Sequence, residues 1–228
     1  MEMRGIVQAV VRTVPESTHS DRVHNQQRFK QNLRERYNCA HPSNASLTKC
    51  MVTRTFFSTE HVAAAHLISL TNRRITTLLG FDDVWDERNG ILMYKCLDDH
   101  YGSLELTFVP NVETHQIQLR VLYDDLLDQP LRPQVSRRTI GAEGKGNATY
   151  RDVHLRHLEL PNMVFPYRRC FLRHAYDAYE LMSNNAKPHE VGSSTMPSES
   201  DWEELFTQCA SDSPNCTTSD WFSSHLQT

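Results

Sequence analysis

Four residues of the chain have types and an order that suit phosphoester chemistry: His66, Asn89, Asp98 and His100. His66 lies in the apolar segment Glu60 to Leu70 and reads as the end of an apolar strand. Asn89 opens the next apolar run 23 residues later, and Asp98 and His100 follow on a segment with room for about two helical turns. Hydrolysis of a phosphodiester with one metal ion needs a neutral imidazole to deprotonate water for in-line attack. It also needs a partner to orient that ring, and a hard divalent cation to hold the phosphate and stabilise the leaving oxygen. Each residue has a plainer reading as well. A lone histidine on an apolar strand is usually a hydrogen-bonded core residue, Asn89-Gly90 is a turn signal, and Asp98-Asp99 suits the acids of a first helical turn.

The elements that must position these groups can be read from periodicity and turn residues. Cys50 to Phe57 is β-branched and aromatic and reads as a strand, and the run ending at His66 reads as another. A basic connector over 71–88 leads to a short strand, Ile91 to Tyr94, and then to a helix over Lys95 to Tyr101 that Gly102 stops. Leu104 to Pro110 and Gln116 to Tyr123 alternate apolar and polar residues and predict a hairpin. A glycine-containing loop fills 125–150, Leu155 to Leu160 suggests one more strand, and Tyr167 to Ser183 has a helical period. Near the start, Val7 to Val14 reads as a short strand. Asp21 to Tyr37 reads as a basic helix whose Phe29, Leu33 and Tyr37 recur every four residues and should pack on the body. Helical positions two apart point about 200° from one another. Asp98 and His100 therefore cannot both face one ion, and one of them is a bystander.

Cys50-Met51-Val52-Thr53, Ala64-Ala65-His66-Leu67, Asp86-Glu87-Arg88-Asn89-Gly90-Ile91-Leu92 and Leu97-Asp98-Asp99-His100-Tyr101 follow one another within residues 50–110, with 166–179 behind them. In order and spacing they resemble the HNH endonuclease family in its fungal and oomycete branch. That branch shows a Cys-Val-Thr-Gly start, an Ala-Ala-His strand, an Arg-Asn-Gly-Leu-Leu strand and a short helix ending near Phe-Asp. Similar domains close crinkler-type effectors, which are thought to act on host nuclear DNA. The resemblance implies a ββα-metal (His-Me) finger in which His66 is the general base and Asn89 braces the finger and orients His66 through its amide. Asp98 would be the metal ligand, at a position where bacterial relatives often carry histidine, and His100 the less favoured one. A carboxylate there suits Mg²⁺ or Mn²⁺, with Zn²⁺ a further candidate. The substrate would be DNA, double-stranded in preference to single-stranded. The chain departs from the pattern at Ala65, where many relatives place a metal ligand, at Arg54 in place of the glycine, and at Tyr101-Gly102 in place of Phe-Asp. These departures keep a second reading open, an HNH-like protein that binds DNA without cutting it.

Charge and composition set the frame. The 228 residues carry a net charge of −4 and have a mean hydropathy of −0.57. From Ser183 onward there is one lysine against seven acids, so the tail is −6 and the remainder +2. The tail is rich in Ser and Thr and reads as disordered. Two of its segments, Trp202-Phe206 and Trp221-Leu226, resemble each other as acidic patches with aromatic anchors, suited either to a protein partner or to packing back on the body. Six irregularly spaced cysteines read as free thiols, and Cys39, Cys50 and His41 are too widely spaced for a convincing zinc site. No apolar stretch approaches the roughly 18 to 20 residues of a spanning helix. The run Ile6 to Val11 is too short for a signal peptide, which points to the nucleus or cytoplasm, of this cell or of a host. No Gly-x-Ser-x-Gly element or glycine-rich phosphate loop is present. Candidate phosphate contacts are Arg73, Arg74, Arg88, Arg137, Arg138, Arg168 and Arg169, which predict low sequence specificity and steep salt dependence. The expected architecture is α+β: a polar region with a basic helix over 1–45, a ββα-metal HNH domain with an added hairpin and a C-terminal helix over 46–182, and an acidic tail over 183–228.

Overall fold

The computed structural model describes residues 19–68, 83–111, 116–131, 148–161, 164–185 and 199–209. The architecture is α+β, with helices packed around three two-stranded antiparallel sheets. Helix α1 spans His19–Arg36 and is followed by strands β1 (Leu47–Lys49) and β2 (Phe56–Ser58). Strand β3 (Val62–His66) pairs with β4 (Gly90–Tyr94), and helix α2 (Lys95–Gly102) continues directly from β4. Strands β5 (Leu106–Pro110) and β6 (Ile117–Val121) form the expected hairpin, and a single turn, α3, covers Asp124–Leu127. Two longer elements follow, α4 (Arg168–Asn185) and α5 (Glu199–Cys209). None of the described helices is long and apolar enough to cross a membrane.

Helix α1 belongs to the core, because its period of four places Phe29, Leu33 and Tyr37 on one face, all buried. Polar contacts fix it over the β3–β4 hairpin. Gln26 Nε2 donates to the Ala64 carbonyl at 3.0 Å, Lys30 Nζ to the carbonyls of Thr59 and Val62, and Asn32 Nδ2 to Glu87 at 2.8 Å. Burial lowers the Lys30 ammonium to about 8, with Lys95 and Arg34 adding repulsion. Strand β4 is buried along its whole length, as a strand covered on both faces must be.

The stretch from Cys50 to Phe57 is not one strand. Residues 50–53 make a turn, and only Phe56–Ser58 pairs, with Leu47–Lys49. The sulfur of Cys50 explains the turn. It accepts the Thr53 N–H at 3.4 Å while Arg54 N–H closes on the Cys50 carbonyl at 2.9 Å, and Arg54 takes a left-handed φ of 61°. The same turn serves as a partner for β4. Met51 N–H bonds the Leu92 carbonyl at 2.9 Å, while Met51 Sδ and Cys50 Sγ accept the N–H groups of Leu92 and Tyr94. The expected strand over 155–160 is irregular, with one bridge from His157 to Gln118 on β6.

Helix α4 packs on β5 through His174. Its Nδ1 meets the Thr107 hydroxyl and its Nε2 the Tyr101 carbonyl, both at 2.9 Å, with its ring stacked on Tyr101 at 3.6 Å. A carbonyl only accepts, so Nε2 carries the proton and Nδ1 accepts from the hydroxyl, which is the neutral form. Burial drives this histidine to about 4. The acidic tail is not without structure throughout. Trp202 of α5 is buried edge-on against Tyr176 and Tyr179 of α4, at 5.7 and 6.0 Å. The segment Trp202-Phe206 therefore starts on the chain's own body, while Trp221-Leu226 lies outside the described residues, as does the expected strand over 7–14. Cys39, Cys50, Cys96 and Cys170 are buried free thiols.

Candidate functional site

The hairpin register sets the geometry of the site. His66 is the last residue of β3 and lies opposite Gly90, the first of β4. Asn89, one residue earlier, is fully buried, and its amide is spent on the backbone of the connecting loop. Oδ1 accepts the Ile68 N–H at 3.0 Å, and Nδ2 donates to the carbonyls of Ile68 at 3.3 Å and Val84 at 2.9 Å. The Asn89 carbonyl also accepts the Leu67 N–H at 2.9 Å. Asn89 thus clamps the two ends of the loop behind His66. Among the described residues its amide does not reach the His66 ring, so the brace acts through backbone and not by a bond to the imidazole.

His66 is held by rings. It stacks on Phe29 of α1 at 4.2 Å with an interplanar angle of 12°, and meets Trp85 edge-on at 4.9 Å. Phe29 and Trp85 also touch each other at 5.8 Å, so the imidazole sits in an aromatic corner. Its Nε2 is buried and has no hydrogen-bond partner among the described residues. Burial pushes the imidazole down to about 4, so it is neutral at pH 7. Gly90 is required by the same packing, because a Cβ there would lie 2.3 Å from Cζ of Phe29. The spacing of Phe29, Leu33 and Tyr37 announces a core face, but nothing in the sequence tells that Phe29 and Trp85 enclose His66.

The two candidate ligands on α2 part company, as their two-residue spacing requires. Asp98 lies in the first turn, and among the described residues its carboxylate accepts no hydrogen bond. Burial, with the neighbouring Asp99 charge, pushes it up to about 6, and Lys95 opposes the shift. His100 is engaged elsewhere. Its Nδ1 pairs with Glu105 at 2.5 Å and its ring meets Tyr150 edge-on at 5.0 Å, which ties the end of α2 to the chain entering β5. Of the two, His100 is the one already paired within the fold. Among the described residues no three His, Cys, Asp or Glu side chains gather as a metal cage. Asp98 alone fits a hard cation of the Mg²⁺ kind, which commonly takes one or two carboxylates and completes its shell with water and phosphate oxygens.

The arginines divide in the same way. Arg88 donates through Nε and Nη2 to Asp86 at 3.0 and 2.7 Å and lies over the Tyr167 ring at 4.4 Å, so its charge is already balanced within the fold. Arg168 opens α4 and is half-buried. Arg169 is 3% exposed, which removes it from the set of surface phosphate contacts. Arg73, Arg74, Arg137 and Arg138 lie outside the described residues. Compared with known proteins, the chain matches no family model, no curated protein and no solved structure.

Proposed function

We propose that the chain is a divalent-metal-dependent endonuclease that hydrolyses DNA phosphodiester bonds with low sequence specificity, on a ββα-metal finger of the HNH kind. The observation that carries this reading is the continuous unit of β3, β4 and α2. It joins an imidazole at the end of β3, a buried Asn89 clamp behind it, and a half-buried carboxylate, without a hydrogen bond among the described residues, in the first turn of the next helix. Asp98 would hold Mg²⁺ or Mn²⁺, and the ion would stabilise charge on the leaving oxygen. His66, kept neutral by burial, would accept the proton of the attacking water at Nε2 once that atom is uncovered. The test is nicking of supercoiled plasmid by wild type and Asp98→Asn in Mg²⁺, Mn²⁺, Zn²⁺ and EDTA. Metal-dependent nicking that falls at least tenfold in the variant is expected. Nicking that survives EDTA contradicts the metal.

One observation favours the second reading, an HNH-like protein that binds DNA without cutting it. The Phe29 ring lies flat on His66, and its Nε2, the atom assigned to take the proton, is buried without a hydrogen-bond partner among the described residues. A preparation that shifts DNA but nicks it with none of these metals would establish that alternative, with Trp221-Leu226 the tail segment left to recruit a protein partner.

A further inference from the structure

Arg169 carries a charge that no described residue answers. Its side chain is 3% exposed, and among the described residues Nε, Nη1 and Nη2 all lack a hydrogen-bond partner. A carboxylate or an imidazole can escape burial by taking up or losing a proton, but a guanidinium stays charged at every pH a protein survives. Its place in the fold adds to the cost. Arg169 is the second residue of the 18-residue helix α4, whose first turn holds no acid and begins with two arginines. The amino end of a helix carries a positive partial charge that favours anions and disfavours cations. Helical side chains lean toward that end. The neighbouring Arg88 is answered by Asp86; Arg169 has no such acid among the described residues.

We propose that the amino end of α4 is a built oxyanion site in which Arg169 is the anchor and the ligand is a small molecule bearing a phosphate group. The planar fork of guanidinium N–H donors matches two oxygens of a phosphate at once, and the helix end supplies the same sign of field. The depth of the side chain selects a compact phosphate over the backbone of a nucleic-acid strand. This site is separate from the proposed His66 chemistry and does not depend on it.

Thermal unfolding of the full chain tests the site, in inorganic phosphate and in chloride at matched ionic strength, for wild type, Arg169→Met and Arg169→Lys. Phosphate should raise the wild-type Tm saturably by several degrees, as any ligand of the native state does, and chloride should not. Arg169→Lys should keep part of the shift, because a point charge replaces the fork. Arg169→Met should lose it and, in chloride, melt at or above the wild-type temperature, since apolar volume replaces an unpaired buried charge. A shift equal in both salts, or one that Arg169→Met retains, overturns the proposal. So does an Arg169→Met protein that melts well below wild type in chloride or fails to fold, because the arginine would then be paired inside the protein. A short DNA duplex without terminal phosphates is expected to leave the Tm response to phosphate unchanged; if it displaces phosphate, the ligand is the nucleic-acid backbone and the small-ligand assignment falls.

Discussion

His66 is kept neutral by the partial burial of its ring. Phe29 and Trp85 enclose its ring, and burial alone accounts for the drop to about 4. An imidazole so far down is a weak base, so the ring that covers His66 also sets how well it can act. Replacing Phe29 with Ala should admit water and raise the His66 pKa toward the ordinary 6.5, at a cost of about 3–5 kcal/mol in stability. NMR titration of the ring protons measures it, and a value still near 4 would mean that something other than Phe29 keeps the imidazole neutral. At this scale the sequence was legible in type and order. His66, Asn89 and Asp98 stood out because each has a side chain the chemistry needs. The lid was not legible, since stacking between Phe29 and His66 depends on how α1 crosses the hairpin. Nor was the burial of Arg169, because an Arg-Arg pair at a helix start reads the same whether its side chains face water or the core.

Among the elements, β4, α2, the second hairpin and both long helices α1 and α4 could be read from periodicity and turn residues within one or two positions, while β3 is shorter than the apolar segment Glu60 to Leu70 that announced it. The stretch from Cys50 misled because β-branched and aromatic residues favour strands, while the turn rests on a sulfur acceptor and a left-handed residue that propensity does not register. Arg54 makes this testable. A side chain at φ 61° costs about 1–2 kcal/mol, and glycine would remove that cost while adding freedom to the unfolded chain. Arg54→Gly should therefore stabilise by about 0.5–1 kcal/mol, read as a higher urea midpoint at unchanged slope. A lower midpoint would mean that the exposed bond from Arg54 Nη2 to the His157 carbonyl at 3.3 Å outweighs the strain. The tail helix α5 was legible only as one of two readings of Trp202-Phe206, the one in which the segment packs back on the body. An acidic Ser-rich background masks a short helix whose stability comes from Trp202 against Tyr176 and Tyr179.

For the molecule as a whole, the buried histidines couple folding to pH. His66 and His174 both sit near 4 in the fold against 6.5 unfolded, so on acidification the unfolded chain takes up protons first and stability falls between pH 6.5 and 4. Asp98 works the other way. Its carboxyl, raised to about 6 in the fold, binds a proton before the unfolded chain does and returns part of the loss. His154, Asp86 and Glu105 are also lowered in the fold and act in the same sense as the two histidines, so urea unfolding at pH 4.5 should give a lower stability than at pH 7. A flat profile would contradict the burial of the histidines. The central claim remains the cleavage chemistry assigned to the hairpin and its helix. The most direct test is plasmid nicking by wild type and His66→Ala side by side in Mg²⁺ and Mn²⁺, with a DNA-binding assay on both. The account predicts nicking by the wild type, at least a hundredfold loss in the variant, and DNA binding kept by both. Equal nicking by the two proteins, or none by a folded, DNA-binding wild type, would contradict it.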